Sequence, residues 1–408
     1  MITPKLNPEI WIITDTHLIA DSLHDDGAAF IRMQNTSQGK DLFYQETALR
    51  AFCKMANEKK PAAIIVTGDV TFNGELISAV KFNEIFSDLT ETKLLVLPGN
   101  HDIYDGWARK FIGNKQYLTK QISPQKWHDL FQTSYNCSLN QDPSSLAYSV
   151  QLNPQYLLLL LDSNIYHNHE SFHTPATEGQ ISAAQVKWLK KQLVYAQQHH
   201  LRPLLFMHHN LYAHNSAVNR GFVLNNAPIL RQLCQEYDIK LAFSGHIHAQ
   251  NIIGPVDTIP TIEIVTSSFC SYDQAYGVVQ LSAASVSYKR QVFDMRPYIS
   301  TDEQNNQILM HFHEYLKQIQ LRNLTGNSQH KDQATSKQSL TKKINQLFLD
   351  MNYNYFTGHN HIEKQKLLQL YNSPEYQTLV AEHPKFSKYL ATLYDTSDHS
   401  NLTTSVNY

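Results

Sequence analysis

Through positions 1–300 the chain repeats one pattern: a short unbroken apolar run, an abrupt turn, then residues able to hold a proton or a cation. Leu94-Leu95-Val96-Leu97 is the sharpest case, stopped by Pro98-Gly99 and followed at once by Asn100, His101 and Asp102. An apolar block of this length, bounded by turn residues, predicts a strand buried on both faces. The same reading predicts strands over residues 9–14, 62–67, 202–207 and 240–243. Residues 145–151 and 155–161 read as an antiparallel pair joined by Asn153-Pro154, and strands over 261–266, 276–281 and 285–293 complete the sheets. Helical stretches fall over 44–59, 75–89 and 227–237, and another carries Trp188 and Leu189 after Gly179-Gln180-Ile181-Ser182. Strands and helices in alternation predict an α/β architecture, in which ligands bind beyond the carboxyl ends of the strands.

From residue 301 long helical runs over 307–322 and 341–353 replace the strand pattern, with a polar connection over 323–339. At 408 residues two domains are expected, residues 1–300 and a small all-α domain over 301–408. Apolar residues at 42% and charged residues at 17% suffice for a sizeable core. A net charge of −2 offers no footprint for a nucleic acid polymer or an anionic membrane, and nothing in the chain reveals an oligomeric state. Cys53, Cys137, Cys234 and Cys270 form no CxxC pair, which argues against a zinc knuckle or a dense disulfide framework. Cys53 and Cys234 fall in helical stretches and read as small buried hydrophobes. No charged-then-apolar leader precedes the first strand, and the longest apolar run, 156–161, is far too short to span a bilayer. A cytoplasmic protein is the simplest expectation; a secreted one whose leader had been removed would read the same.

Chemistry enters at the strand ends. Residues two apart on an extended chain point the same way, so Asp15 and His17 can face one ion together; an aspartate capping a turn beside a solvated histidine is the plainer alternative. Gly68 lets the backbone turn so that Asp69 projects from the rim, where its two oxygens can bridge two cations. A helix cap is its plainer reading. Later strand ends deliver His208-His209-Asn210 and Ser244-Gly245-His246-Ile247-His248. Collected, Asp15, His17, Asp69, Asn100, His208, His246 and His248 make two adjacent sites of mixed nitrogen and oxygen donors. Such sites suit Mn, Fe or Zn better than Mg or Ca. Two such cations clamp a phosphoryl group and acidify a bridging water. His101, beside a ligand but spare in the count, is the natural proton donor to the leaving alkoxide.

Three loops border this arrangement. Residues 22–40 read as a polar loop, and 103–140 as a partly helical cap near the site, whose Trp107, Tyr117 and Trp127 read as local core, with substrate platforms the alternative. His167, His169 and His173, in the loop 165–177, flank the cleft either as surface residues or as substrate contacts. Gly358-His359-Asn360-His361 repeats the spelling of residues 245–248, but an aromatic helical stretch precedes it, and Asn360 suits a helix N-cap before 362–371.

In this order between residues 15 and 248, Asp-x-His, Gly-Asp, Gly-Asn-His-Asp, His and Gly-His-x-His resemble the calcineurin-like metallophosphoesterase superfamily. The resemblance implies a four-layer αββα sandwich, a centre of two divalent or mixed-valence metal ions, and phosphoester hydrolysis. Carried over by motif, Asp15, His17, Asp69 and His248 would hold one metal, and Asp69, Asn100, His208 and His246 the second. His101 would be the general acid or stabilise the transition state, His208 matches the ligand position, and His209 lies just past it. Asp102, His209 and His169 are further candidates for contact with substrate or ligands. Residues 68–75 and 179–189, with Asp162-Ser163, are similar to class III cyclic nucleotide phosphodiesterases, closest to bacterial members with a C-terminal helical domain. One departure stands out: many relatives have Asp three positions after the bridging aspartate, where this chain has Phe72. Orientation of the catalytic histidine then falls to Asp102 or to a backbone carbonyl.

The resemblance therefore implies hydrolysis of a small phosphodiester such as a 3′,5′-cyclic nucleotide. A phosphomonoester, a cell-envelope phosphodiester or a nucleotide pyrophosphate is the alternative substrate. A metal-bound scaffold whose helical domain holds a protein partner would require a missing ligand or a missing His101, and all eight positions are filled.

Overall fold

A strand buried on both faces must divide its side chains between two cores, and the central strands do so. The computed structural model describes residues 1–325, 336–382 and 384–408. In chain order the strands are β1 (Glu9–Ile13), β2 (Ala63–Thr67), β3 (Lys93–Leu97), β4 (Arg109–Ile112), β5 (Lys115–Leu118), β6 (Asn140–Gln141), β7 (Tyr148–Gln151) and β8 (Tyr156–Leu160). They continue as β9 (Arg202–Phe206), β10 (Leu241–Ser244), β11 (Asn251–Ile253), β12 (Ile262–Val265), β13 (Ala275–Leu281), β14 (Ser285–Val292) and β15 (Thr403–Asn407). One sheet has the order β15-β14-β13-β1-β2-β3, the other β11-β12-β10-β9-β8-β7-β6, while β4 and β5 form a separate hairpin. Within them β1-β2-β3 and β8-β9-β10-β12 run parallel, and the flanking strands are antiparallel.

The two sheets pack face to face. Leu158, Leu160, Leu204, Phe206 and Phe243 join Val96 and Tyr288 in the core between them, where Tyr148 Oη donates to the Val96 carbonyl at 3.0 Å. Alternate residues of the same strands (Leu157, Leu159, Leu205 and Ala242) face a second core under the helices Ala183–Gln198 and Ala227–Glu236. On the far side, the first sheet is covered by helices Gln45–Lys59 and Leu76–Phe86, with Trp11 against Phe52 at 5.5 Å between rings. The result is the αββα sandwich. The strands read as unbroken apolar runs because both of their faces are covered.

The C-terminal region is helical, with Gln307–Met310, Phe312–Thr325, Ser336–Thr357, Lys364–Tyr371 and Pro374–Glu382. Its core of Ile344, Met351, Tyr355, Tyr376 and Leu379 takes in Ile247 and Val265, so it floors the loop after β10. Leu309, Phe312, Leu316 and Ile319 instead join the large core of the first sheet, with the Phe312 ring 6.2 Å from Tyr44 at the start of the helix Gln45–Lys59. The polar connection read at 323–339 lies largely outside the described residues. Among the described residues no helix is long and apolar enough to cross a membrane.

Several local expectations need correction. The loop read at 22–40 contains the helix Ala28–Asn35, whose buried Ala29, Phe30 and Gln34 form a stripe too short to stand out among Asp, Gly and Ser. The segment 103–140 holds the β4–β5 hairpin as well as two short helices, Pro124–Leu130 and Gln132–Tyr135. Trp127 is core, but Trp107 and Tyr117 are 45% and 42% exposed. Asn360 does not cap a helix: the next one begins at Lys364 behind Glu363, and the Asn360 amide donates to the Leu393 carbonyl at 3.1 Å. Cys53 and Cys234 are buried in helices, as their surroundings suggested.

Candidate metal centre

The parallel strands of both sheets end at one edge, and five loops leave it carrying the candidate residues. Asp15 and His17 follow β1, Asp69 follows β2, Asn100 and His101 follow β3, His208 follows β9, and His246 and His248 follow β10. Five of these residues have left-handed backbones: Asp15 (φ 52°), His17 (42°), Asp69 (48°), His246 (69°) and His248 (61°). Each such conformation costs a non-glycine residue about 1–3 kcal/mol and clusters where a site needs it. Gly245 lets two of the loops touch, since a Cβ there would run into Thr14 Oγ1 and lie 2.7 Å from Asp15 Oδ2.

Two groups of donor atoms result, each within 4.8 Å of one another: Asp15, His17, Asp69 and His248, and Asp69, His208 and His246. Asp69 belongs to both. In the first, His17 Nε2 lies 3.1 Å from His248 Nε2, 3.8 Å from Asp15 Oδ1 and 3.7 Å from Asp69 Oδ2. In the second, His208 Nε2 is 3.4 Å from Asp69 Oδ2 and 3.1 Å from Asn100 Oδ1, which brings Asn100 to the same point. Asp15 Oδ1 is buried without a hydrogen-bond partner. Facing imidazole nitrogens beside an orphaned carboxylate oxygen suit a cation between them, so the residues present fit two metal ions.

The outer nitrogens are fixed by backbone carbonyls. His208 Nδ1 donates to Thr67 at 2.8 Å, which turns Nε2 inward. His246 does the reverse, its Nε2 donating between the carbonyls of Thr177 (3.0 Å) and Gly221 (3.1 Å), so Nδ1 faces the cluster. No sequence pattern announces these carbonyls.

Charge follows from burial and proximity. Burial alone would raise Asp69, but the imidazoles of His208 and His101 hold its carboxyl well below the usual range. Burial and then His208 push His246 down to about 3. For His208 burial opposes protonation, yet Asp69 outweighs it and carries the group to about 9. Burial is again the largest influence on His101, and Asp69 and Asp105 overcome it, so its pKa is raised.

Asp105 is the partner that the sequence concealed. His101 Nδ1 donates to Asp105 Oδ2 at 3.2 Å, a contact that Phe72 cannot make; Phe72 sits in a small apolar cluster with Phe30 and Phe111. Asp102 is unavailable to His101 because its carboxylate accepts from the backbone N–H groups of Gly99, Val70 and Thr71 and from Thr71 Oγ1. It ties the β2 and β3 loops together, and burial followed by Asp69 raises it to about 6. Spacing of four residues, His101 to Asp105, was the available cue.

His209 belongs to neither donor group, although its ring lies 4.5 Å from that of His246: its Nδ1 pairs with Ser163 Oγ at 2.8 Å, and burial, then His246, keeps it neutral. Asp162 accepts from Leu146 N–H and Tyr166 Oη, and its own backbone is clamped by Gln185, three residues after the helix-capping Ser182. Within the 179–189 motif, Ser182 and Gln185 thus start the helix and brace the Asp162 backbone. His169 is exposed, 6.2 Å from the His167 ring, and belongs to neither donor group.

The model of the calcineurin-like phosphoesterase family matches residues 8–250, more than half of the chain, and the protein belongs to that family. A second model, the C-terminal domain of cyclic nucleotide phosphodiesterase, matches residues 294–400. Among solved structures, a dimetal phosphatase from Danio rerio shares the fold at a TM-score of 0.53 and 13% identity, over 70% of this chain and 96% of that one. A purple acid phosphatase from yellow lupin (Lupinus luteus) seeds aligns at a TM-score of 0.47 and 13% identity, over 70% of this chain and 52% of that one. No curated protein matches the sequence.

Proposed function

We propose that the protein hydrolyses a small phosphodiester, a 3′,5′-cyclic nucleotide, at two metal ions. Asp15, His17, Asp69 and His248 hold one ion, and Asp69, Asn100, His208 and His246 the other. Mn and Fe suit this donor set, with Zn as the alternative. The observation that carries the reading is Asp69, a single carboxylate common to two donor groups. The match of residues 294–400 to a cyclic nucleotide phosphodiesterase domain favours the diester.

When bound, the ions supply Lewis acidity at the phosphoryl oxygens and an ionised water at neutral pH. The chain supplies orientation and a proton. His101 lies outside both donor groups and is partly exposed at 23%, so substrate can reach it. Asp105 holds Nδ1–H, which leaves Nε2 to carry the proton to the leaving oxygen.

Hydrolysis of bis(p-nitrophenyl) phosphate and p-nitrophenyl phosphate by the Mn-loaded protein, followed by 3′,5′-cyclic nucleotides, tests the proposal. Preference for the diesters, reduced about 100-fold or more in His101→Ala, is expected. Preference for the monoester would overturn it in favour of a phosphatase.

A further inference from the structure

Lys40 ends the segment that leads into the helix Gln45–Lys59, and it is only 8% exposed. Lysine is almost never buried without a partner, because an unpaired ammonium loses its hydration. Among the described residues, however, the Lys40 ammonium has no ion pair and no hydrogen bond; the interactions resolved for it are charges at longer range. Burial is the largest influence on Lys40 and lowers its pKa; of the charges that oppose it, two belong to the metal centre. Asp69 and Asp15 act on Lys40, and Lys40 acts in turn on His17 and on His101. The nearby Cys270 thiol is pushed up to about 12, chiefly by burial, and so provides no neutralising charge at neutral pH.

The backbone around this lysine is fixed from several sides. Its carbonyl accepts from Gln34 Nε2 and Ser37 Oγ, both at 2.7 Å. The next residue, Asp41, donates its N–H to the Cys270 carbonyl at 2.8 Å, and the segment before Cys270 is bonded to the Asp15 loop through Ser268 Oγ and Phe269 N–H. The Asp41 carboxylate also accepts from Tyr315 Oη at 3.0 Å, on the C-terminal helix Phe312–Thr325. A lysine only 8% exposed, its backbone anchored to the segment that supports the Asp15 loop and its charge left unpaired, is available to an anion that arrives with the substrate.

We propose that the Lys40 ammonium binds the substrate phosphate, donating a charge-assisted hydrogen bond to a phosphoryl oxygen and stabilising the negative charge that gathers there in the transition state. This rests on the reading of the protein as a phosphoester hydrolase, and it gives the C-terminal helices a task at the centre, through Tyr315 and Asp41.

The test compares full-length, Mn-loaded wild type with Lys40→Met and Lys40→Arg. Metal content, kcat/KM on bis(p-nitrophenyl) phosphate and the dissociation constant of inorganic phosphate by calorimetry are read for each. Lys40→Met is expected to keep both metals, lose about 100-fold or more in kcat/KM, and bind phosphate at least about tenfold more weakly, with partial recovery in Lys40→Arg. Unchanged turnover and phosphate binding in Lys40→Met would overturn the proposal, as would loss of metal in both variants, which would make the lysine a support of the centre. Should the wild type hydrolyse no phosphoester, the functional reading fails, and phosphate affinity in the same variants still decides the role of Lys40. If Lys40→Met does not fold, Lys40→Gln replaces it in each comparison.

Discussion

Gly245-His246-Ile247-His248 and Gly358-His359-Asn360-His361 share a spelling, and the fold uses them in opposite ways. The first leaves a buried parallel strand, and both of its histidines take left-handed backbones that aim nitrogens into the donor cluster. The second follows the helix Ser336–Thr357; it is Gly358 that turns left-handed, at φ 76°, and His359 and His361 remain exposed. Among the described residues the His359 ring pairs locally, with Thr357 Oγ1 at 3.0 Å. The two motifs also touch. A Cβ on Gly358 would lie 2.7 Å from Gln250 Cγ, and Gln250 N–H donates to the Phe356 carbonyl, so the second motif helps to buttress the loop of the first. A strand end facing other strand ends assembles ligands; the same letters after a helix make a turn.

The largest effect separates the histidines. His246→Ala should lose at least one metal and more than about 100-fold in phosphodiester turnover, beyond the loss typical of a supporting contact. Retention of both metals, measured by atomic emission on the purified variant, would break the contrast. Next come the glycines. Gly245→Ala forces a methyl into Thr14 and Asp15 and should destabilise the protein by about 3 kcal/mol, at the upper end for overpacking. Gly358→Ala meets the stem of the buried Gln250 at 2.7 Å and Leu402 at 3.0 Å on a left-handed backbone, worth about 2 kcal/mol. Urea denaturation of the two variants ranks them; equal losses would mean that the two turns are equally crowded. The smallest effect is expected from the double substitution His359→Ala/His361→Ala, within about 0.5 kcal/mol of wild type and with full metal content, as for exposed residues away from special features. A drop in activity there would assign the second motif a part in the centre.

Where the sequence was readable, one local rule sufficed. An apolar block, a turn and a polar residue mark a strand end, and five such ends meet because parallel strands share direction. Asp15, His17, Asp69, Asn100, His208, His246 and His248 could be picked out on that basis. Asp105 was harder. Asp102 stands next to His101, but its oxygens are claimed by backbone N–H groups of residues 70, 71 and 99, a demand visible only when two loops fold together. The carbonyls of Thr177 and Gly221 carry no side-chain signature at all. Lys40 was hidden by composition, because a polar segment reads as solvated until the helix Ala28–Asn35 and the C-terminal helices close over it.

The pairing of β15 with β14 has a practical consequence. Residues that leave the sheet at Val292 return to it at Thr403, as the neighbouring strand. The helical region is therefore stitched at both ends to the sheet that carries Asp15, which gives it little freedom to swing like a lid. Shortening the chain near residue 300 would strip the outermost strand, bare the hydrogen-bonding edge of β14 and uncover Ile247. An exposed edge of this kind invites other chains to pair with it. A trimmed catalytic half is thus a poor reagent, and the intact protein is the one to crystallise with metal and substrate.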